Sequence, residues 1–173
     1  MAFLDAHPGL GYPAAVGLGL LVGSFLNVVI LRLPRRLEWE WKRDALEILG
    51  EPEVYDPPPP GIVVEGSHCP QCKKKLHWYE NIPVVSWLLL GGKCASCRTS
   101  ISVRYPIVEF ATAVLSAAVA MHFGWHWQTL AALLFTWALI SLTVIDLDHT
   151  LLPDTLTIPL LWLGLLLSLF WHA

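Results

Sequence analysis

The chain alternates between long apolar runs and a single long polar stretch. Four runs have close to the ~20 apolar residues that cross a bilayer as a helix. They are "AAVGLGLLVGSFLNVVIL" (Ala14–Leu31), "PIVEFATAVLSAAVAMHF" (Pro106–Phe123), "WHWQTLAALLFTWALISLTVI" (Trp125–Ile145) and "LLPDTLTIPLLWLGLLLSLFW" (Leu151–Trp171). One such run alone is compatible with a buried core helix of a soluble protein, but four in 173 residues favour membrane spans. The pattern predicts an all-α polytopic membrane protein with four transmembrane helices.

The distribution of charge predicts the orientation of these helices. All 11 Lys and Arg residues lie between Arg32 and Arg104, directly after the first run and directly before the second. Loops rich in Lys and Arg remain in the cytoplasm, so this stretch is predicted to be cytoplasmic and the N-terminus periplasmic. The first run lacks a preceding basic region, which argues against a cleaved signal peptide. Counting crossings, the turn after the third run is also cytoplasmic.

Composition excludes one class of partner and divides the chain into three regions. The net charge of −3 leaves no basic excess for nucleic acid, whereas 55% hydrophobic residues indicate contact with the lipid bilayer. We predict an N-terminal segment with the first helix in residues 1–33, a cytoplasmic domain in residues 34–105, and three further helices in residues 106–173. Within the cytoplasmic domain, Leu37–Gly50 predicts a separate short helix and Pro57–Pro60 an extended spacer.

Two cysteine pairs in the cytoplasmic domain predict a metal site. Cys69 and Cys72 form one Cys-x-x-Cys pair, and Cys94 and Cys97 form another after 21 intervening residues. This spacing is typical of structural zinc sites with four thiolate ligands, which leave no open position for catalysis. Two disulfides or redox-active dithiols are the alternatives, and the reducing cytoplasm disfavours disulfides. The nearby His68 and His77 are expected to be solvated or hydrogen-bonded. The domain is therefore predicted to be zinc-ribbon-like.

Several small or polar residues stand out within the apolar runs. Gly19 and Gly23 form a GxxxG motif in the first run, which lets two helices approach closely. Glu109 lies near the cytoplasmic start of the second run, where a carboxylate is energetically costly. Two interpretations of Glu109 are open: a functional carboxylate, or an interfacial residue paired with Arg104.

The stretch "VIDLDHTLLPD" (Val144–Asp154) concentrates carboxylates between two apolar runs. Asp154 follows Pro153 and is expected in the first turn of the next helix, where it favours the helix dipole. Asp148 is compatible with an ordinary turn residue. Asp146 directly follows the third run, where we expect a desolvated carboxyl suited to acid–base chemistry. Asp148 is a poor partner for it, since residues i and i+2 of a helix point to different faces.

Four motifs together resemble one family. "GLLVGSFLNVVILRLPRR", the paired Cys-x-x-Cys enclosing "ENIPVVSWLLLGGKC", "RYPIVE" and "VIDLDHTLLPD" are similar to motifs of the type IV prepilin peptidases, also called prepilin leader peptidase/N-methyltransferases. The resemblance implies a bacterial inner-membrane aspartic endopeptidase that removes the leader of type IV prepilins and type II secretion pseudopilins. It also implies methylation of the new N-terminus by S-adenosylmethionine. By position, it makes Asp146 a catalytic residue and the four cysteines the family's cytoplasmic cysteine motif.

The chain departs from this family in one respect. Family members carry a second catalytic aspartate in a Gly-x-Gly-Asp motif, whereas the two Gly-x-Gly triplets of this sequence are followed by Tyr12 and Leu20. The expectation is an N-terminal portion that is inactive alone as a peptidase. Two other functions stay open: a non-catalytic membrane-anchored zinc-ribbon adaptor, and a redox carrier that uses the cysteine pairs. The sequence contains no Gly-rich turn that would hold a nucleoside cofactor.

Overall fold

The computed structural model describes residues 8–52, 56–62, 65–69 and 71–171, and this part of the chain is mostly helical. Its helices are α1 (Pro8–Leu49), α2 (Val85–Leu89), α3 (Arg104–Phe123), α4 (Trp127–His149) and α5 (Asp154–Trp171), with a 3-10 turn at Trp78–Asn81. The predicted all-α class is confirmed. The predicted cytoplasmic domain has two isolated bridges, between His68 and Lys75 and between Lys93 and Ser100, but no named strand among the described residues. The predicted periplasmic N-terminal residues 1–7 lie outside the described ranges.

Helix α1 is longer than the sequence pattern predicts. It runs unbroken for 42 residues, a length of about 63 Å, so the prediction of a span followed by a separate helix at Leu37–Gly50 was wrong. Pro34 lies inside α1 and removes one backbone donor. It is fully buried between the buried Leu33 and Leu37, so tertiary packing holds the chain helical across it. The helix ends where Gly50 takes a φ of +67°.

Three helices are long and apolar enough to cross a membrane within the described residues: α1, α3 and α4. The fourth predicted span forms α5, whose apolar part Asp154–Leu169 belongs to a shorter class. The prediction of four spans is therefore matched for three. Helix α5 starts late because Leu151–Pro153 of the predicted run form the turn before it.

Small residues set the contact between α1 and α3. A Cβ atom added at Gly19 would come within 2.6 Å of the Ala113 Cα atom, and one added at Gly23 within 2.7 Å of the Glu109 Cα atom. These distances are below any normal contact, so the two backbones approach as closely as glycine permits. The GxxxG motif therefore serves packing within the chain.

This contact makes a specific prediction about stability. Gly23→Leu should destabilise the helix bundle by about 1–3 kcal/mol or more, because the side chain would overlap the backbone of α3. Gly17→Leu is the matched control, since a Cβ atom at Gly17 meets no atom within 4 Å. Unfolding of each variant in SDS mixed micelles measures the difference. Equal stability of the two variants would contradict the close helix contact.

A hydrophobic cluster packs the middle of α1 against the start of α3 and the end of α4. Its buried members come from one region where the three helices meet: Leu26, Val29, Ile30, Leu33, Leu37, Val108 and Ile145. Ile145 has no exposed surface and precedes Asp146 directly. The cluster therefore sets the rotation of α4 at the position where its carboxylates begin.

Candidate functional site

The four cysteines converge on one point. Their Sγ atoms all lie within 4.8 Å of one another, and those of Cys69 and Cys97 are 3.7 Å apart. A tetrahedral zinc ion with Zn–S bonds of about 2.3 Å requires sulfur–sulfur distances of about 3.8 Å. The thiols are free, with Cys69 and Cys94 buried and the other two exposed. The cysteine cluster therefore fits a tetrahedral metal ion with little movement.

Two backbone turns of the same geometry build the cluster. The Lys73 N–H donates to the Cys69 carbonyl at 3.0 Å, and the Arg98 N–H donates to the Cys94 carbonyl at 3.0 Å. Lys73 and Arg98 both take left-handed φ values, 58° and 60°. Each turn therefore reverses the chain directly after its second cysteine, which places both thiols of a pair on the same side.

Hydrogen bonds tune the thiols of the cysteine cluster. Bonds from the Thr99 side chain and backbone N–H lower the pKa of Cys97 to about 6. The Cys72 backbone N–H likewise lowers the pKa of Cys69. A backbone bond from Lys74 lowers the pKa of Cys72, but desolvation and the neighbouring sulfurs outweigh it and raise this pKa to about 11. The thiolate is the form that binds metal, so loading the cluster displaces a proton.

The two neighbouring histidines are outside this cluster. Among the described residues, the group that could hold a metal contains the four cysteines alone. The His68 Nδ1 atom lies 3.4 Å from the Gly66 carbonyl oxygen, and the His77 ring stacks on Tyr79. Both arrangements match the expectation of hydrogen-bonded or solvated histidines.

Arg32 joins the loop before the cluster to helix α1. Its guanidinium donates hydrogen bonds to three carbonyl oxygens of this loop, those of Gly61 at 2.6 Å, Glu65 at 2.8 Å and Gly66 at 3.2 Å. Sequence reasoning used Arg32 only as a marker of orientation. Its position directly after the first apolar run could have indicated this role, because an arginine there can extend to polar backbone outside the bilayer.

Glu109 joins α2 to α3. Its Oε2 atom accepts a hydrogen bond of 2.8 Å from the Val84 N–H, and the side chain is buried. The suggested pairing of Glu109 with Arg104 was wrong. Val84 has a φ of +59°, a conformation that is costly for a β-branched residue, and the Glu109 bond helps to hold it. Glu109 is thus a structural anchor between the loop before α2 and a predicted span, α3.

One ion pair and one histidine–carboxylate contact join the end of α4 to α3 and α1. The Arg104 guanidinium pairs with the Asp148 carboxylate, which joins the start of α3 to the end of α4. The His149 Nδ1 atom lies 3.5 Å from Glu38 Oε1 on α1. Asp148 therefore pairs with Arg104. Because residues i and i+2 of a helix point to different faces, this pairing does not involve Asp146.

Asp146 differs from Asp148, its neighbour in this turn, and shares its exposure with Asp154. Helix α4 continues through Asp146 and ends at His149. Thr150 caps it in the left-handed conformation, and the Thr150 N–H donates a hydrogen bond of 2.8 Å to the Asp146 carbonyl. The residue is exposed, so the expectation of a desolvated carboxyl was wrong. Among the described residues its carboxylate forms no ion pair, in contrast to Asp148. Asp154 begins α5 after the buried Pro153, as predicted.

Comparisons with known proteins agree with these features. The family described as "Bacterial Peptidase A24 N-terminal domain" matches residues 18–123, and the "Type IV leader peptidase family" matches residues 133–173. The chain is 59% identical over 169 residues to a prepilin leader peptidase/N-methyltransferase of Xanthomonas campestris pv. campestris, covering 98% of this chain and 59% of the relative. A protein of the same name from Pseudomonas aeruginosa is 52% identical over 173 residues, covering 97% and 58%.

A third relative of that name, from Neisseria gonorrhoeae, is 51% identical over 170 residues, with 98% of this chain and 59% of the relative covered. The chain thus spans just under three fifths of the length of these curated relatives. No solved structure matches the chain. The matched ranges include both the cysteine cluster and the turn that carries Asp146.

Proposed function

Because the chain belongs to the bacterial peptidase A24 family, we propose that it supplies one catalytic carboxylate, Asp146, to a membrane aspartic endopeptidase that removes the leader of type IV prepilins and pseudopilins. The names of the relatives support this substrate class. The single observation that carries the assignment of Asp146 is its carboxylate at the C-terminal end of α4, unpaired among the described residues; Asp154 is also exposed but lies in the first turn of α5. Asp146 is thus an exposed carboxylate at the end of a predicted span.

The chemistry requires a second carboxylate. In aspartic proteases two carboxyl groups share one proton: one takes a proton from water while the other polarises the scissile carbonyl. The water oxygen then bonds to the carbonyl carbon, the carbon–nitrogen bond breaks, and the nitrogen leaves with a proton. Asp148 is engaged by Arg104, and Asp154 begins α5. We propose that the second carboxylate comes from a residue beyond these 173.

A cleavage assay tests this proposal. Membranes that contain residues 1–173 alone should leave prepilin uncut, because Asp146 cannot at once activate water and polarise the carbonyl. Joining the C-terminal remainder of the Xanthomonas relative to residue 173 should restore leader removal, seen as a shift in prepilin mobility. Cleavage by residues 1–173 alone would contradict the need for a second carboxylate. A chimera that inserts into membranes and leaves prepilin uncut would favour the non-catalytic zinc-ribbon adaptor.

The second activity in the relatives' names is methyl transfer. We propose that the complete enzyme moves a methyl group from the sulfonium of S-adenosylmethionine to the new N-terminal amine, which loses a proton. The residues that bind this cofactor are not assigned. The distances between the thiols support zinc as the metal of the cysteine cluster. Four protein ligands would make it a structural ion.

The proposed placement is in the bacterial inner membrane, with the cytoplasmic domain and the Asp146 turn on the same side. Confinement of all Lys and Arg residues to Arg32–Arg104 supports this orientation. Helix α5 has 18 residues, about 27 Å, and we propose that it is the fourth span.

Labelling tests this orientation. A cysteine introduced by Thr150→Cys should resist a membrane-impermeant maleimide added to intact cells, because the turn after α4 faces the cytoplasm. The same reagent should label it once the membrane is permeabilised. Efficient labelling in intact cells would reverse the orientation and place Asp146 on the periplasmic side.

A further inference from the structure

The cytoplasmic segment carries a group of exposed apolar side chains that the proposed catalysis leaves unexplained. They lie on the Trp78–Asn81 turn, on α2 and on the loop between them, and the two elements contact each other. Trp78 is 81% exposed and Leu89 82%. The α2 patch comprises these exposed side chains: Trp78, Tyr79, Ile82, Val85, Leu88 and Leu89. Exposed large apolar side chains grouped in this way mark surfaces that contact a partner or a membrane.

Hydrogen bonds hold the α2 patch beside the first turns of α3. Just before α2, the Val84 N–H donates to Glu109, which lies five residues or about 7.5 Å inside the start of α3. Within α2, the Trp87 Nε1 atom donates to the Ile101 carbonyl at 3.1 Å, three residues before α3 begins. If α3 spans the bilayer as proposed above, α2 lies at the level where the span enters the headgroup layer.

Exposed apolar side chains also lie at the start of α3, to which the hydrogen bonds of Val84 and Trp87 tie the patch. Val103, Ile107 and Phe110 are exposed at the start of this helix, where a span would contact lipid. Tryptophan and tyrosine are favoured at the membrane–water interface, and the patch contains one of each, Trp78 and Tyr79. Lipid at the start of α3 is therefore within reach of the α2 patch.

Charge around the α2 patch is predominantly basic. Between residues 65 and 104 the chain has six basic residues, Lys73, Lys74, Lys75, Lys93, Arg98 and Arg104. It has two acidic residues there, Glu65 and Glu80, and Glu80 is already paired with Lys74. A basic juxtamembrane segment is attracted to anionic headgroups of the cytoplasmic leaflet.

We propose that the α2 patch inserts into the headgroup layer of an anionic membrane and thereby holds the cysteine cluster against the bilayer. The occupant of this surface is lipid; a second copy of the chain or a prepilin is the competing occupant. The proposal rests on the membrane placement of α3 given under the proposed function. Arg32 and Glu109 hold the cytoplasmic segment to the helices, and lipid covers its remaining apolar face.

Photocrosslinking tests this proposal. The full chain, reconstituted in vesicles of phosphatidylglycerol and phosphatidylethanolamine, carries the photoreactive residue p-benzoylphenylalanine in place of Leu89. The same residue in place of Phe110 reports on the span itself. Ile48 is the matched control because it is 84% exposed, as apolar as Leu89, and about 24 Å beyond Arg32 along α1. Mass spectrometry identifies lipid or protein adducts.

The expected result is lipid adducts at positions 89 and 110 in similar yield, with little at position 48. Vesicles of zwitterionic phosphatidylcholine should lower the yield several-fold at position 89 and leave it unchanged at position 110. Adducts at position 110 together with solvent-quenched probe or protein dimers at position 89 would overturn the lipid contact and leave the membrane placement intact. Equal yields at positions 48 and 89 would also overturn it. The absence of lipid adducts at position 110 would overturn the membrane placement and the lipid contact together.

Discussion

Asp146→Asn is expected to abolish leader removal in an enzyme that joins residues 1–173 to the C-terminal remainder of the Xanthomonas relative. Asparagine keeps the shape and much of the hydrogen bonding of the side chain but cannot exchange a proton at neutral pH. Losing one member of a coupled catalytic unit costs nearly as much as losing the whole unit, so a decrease on the order of 10⁴-fold is expected. The rate of prepilin cleavage in membranes of each variant measures it.

Asp154→Asn is the matched control for this prediction. Asp154 lies in the first turn of α5, where a negative charge favours the helix dipole by about 0.3–1 kcal/mol. Its replacement should therefore leave cleavage largely intact. The control makes the same isosteric change in the same turn, eight residues from Asp146. Full activity of Asp146→Asn would refute the assignment of the catalytic carboxylate. Equal loss in both variants would indicate that the turn is sensitive to charge in general.

Cys72→Ser is expected to remove the metal from the cysteine cluster and to unfold the loops around it. Wild-type protein should contain one zinc ion per chain, bound by Cys69, Cys72, Cys94 and Cys97. Structural zinc in small peptide domains contributes about 10–16 kcal/mol of apparent binding free energy, which is also folding free energy. The described part of this domain has two isolated bridges and no strand to replace that contribution. Elemental analysis and limited proteolysis of purified protein measure both effects.

His68→Ala is the control for the metal site. His68 precedes Cys69 directly but lies outside the cysteine cluster, so its loss should leave zinc content and protease resistance unchanged. Loss of zinc in His68→Ala equal to that in Cys72→Ser would implicate the histidine as a ligand. Carefully reduced wild-type protein without metal, and with unchanged protease resistance, would contradict a structural zinc ion. A reversible thiol–disulfide couple in that protein would favour the redox carrier.

The sequence alone determined the features that depend on local pattern. Apolar length predicted α3 and α4 to within a few residues, because a helix must be apolar along its whole length to lie in lipid. The Cys-x-x-Cys spacing predicted the convergence of the cysteines, since each turn presents its two thiols whatever surrounds it. The GxxxG motif predicted a close helix contact but left its partner open. In each case the information lies in the spacing and composition of residues along the chain.

Only the tertiary structure decided which distant residues meet. The local sequence pattern predicted that the first helix ends before Leu37. The helix is continuous there, because Pro34 is buried among core residues. Three partners were likewise not predictable: Arg104 binds Asp148, Glu109 binds the Val84 N–H, and Arg32 binds a loop about 30 residues away. Each charged side chain had several partners within reach along the chain. The packing of α1, α3 and α4 decides which of these partners lies within contact distance. The same packing leaves the Asp146 carboxylate exposed.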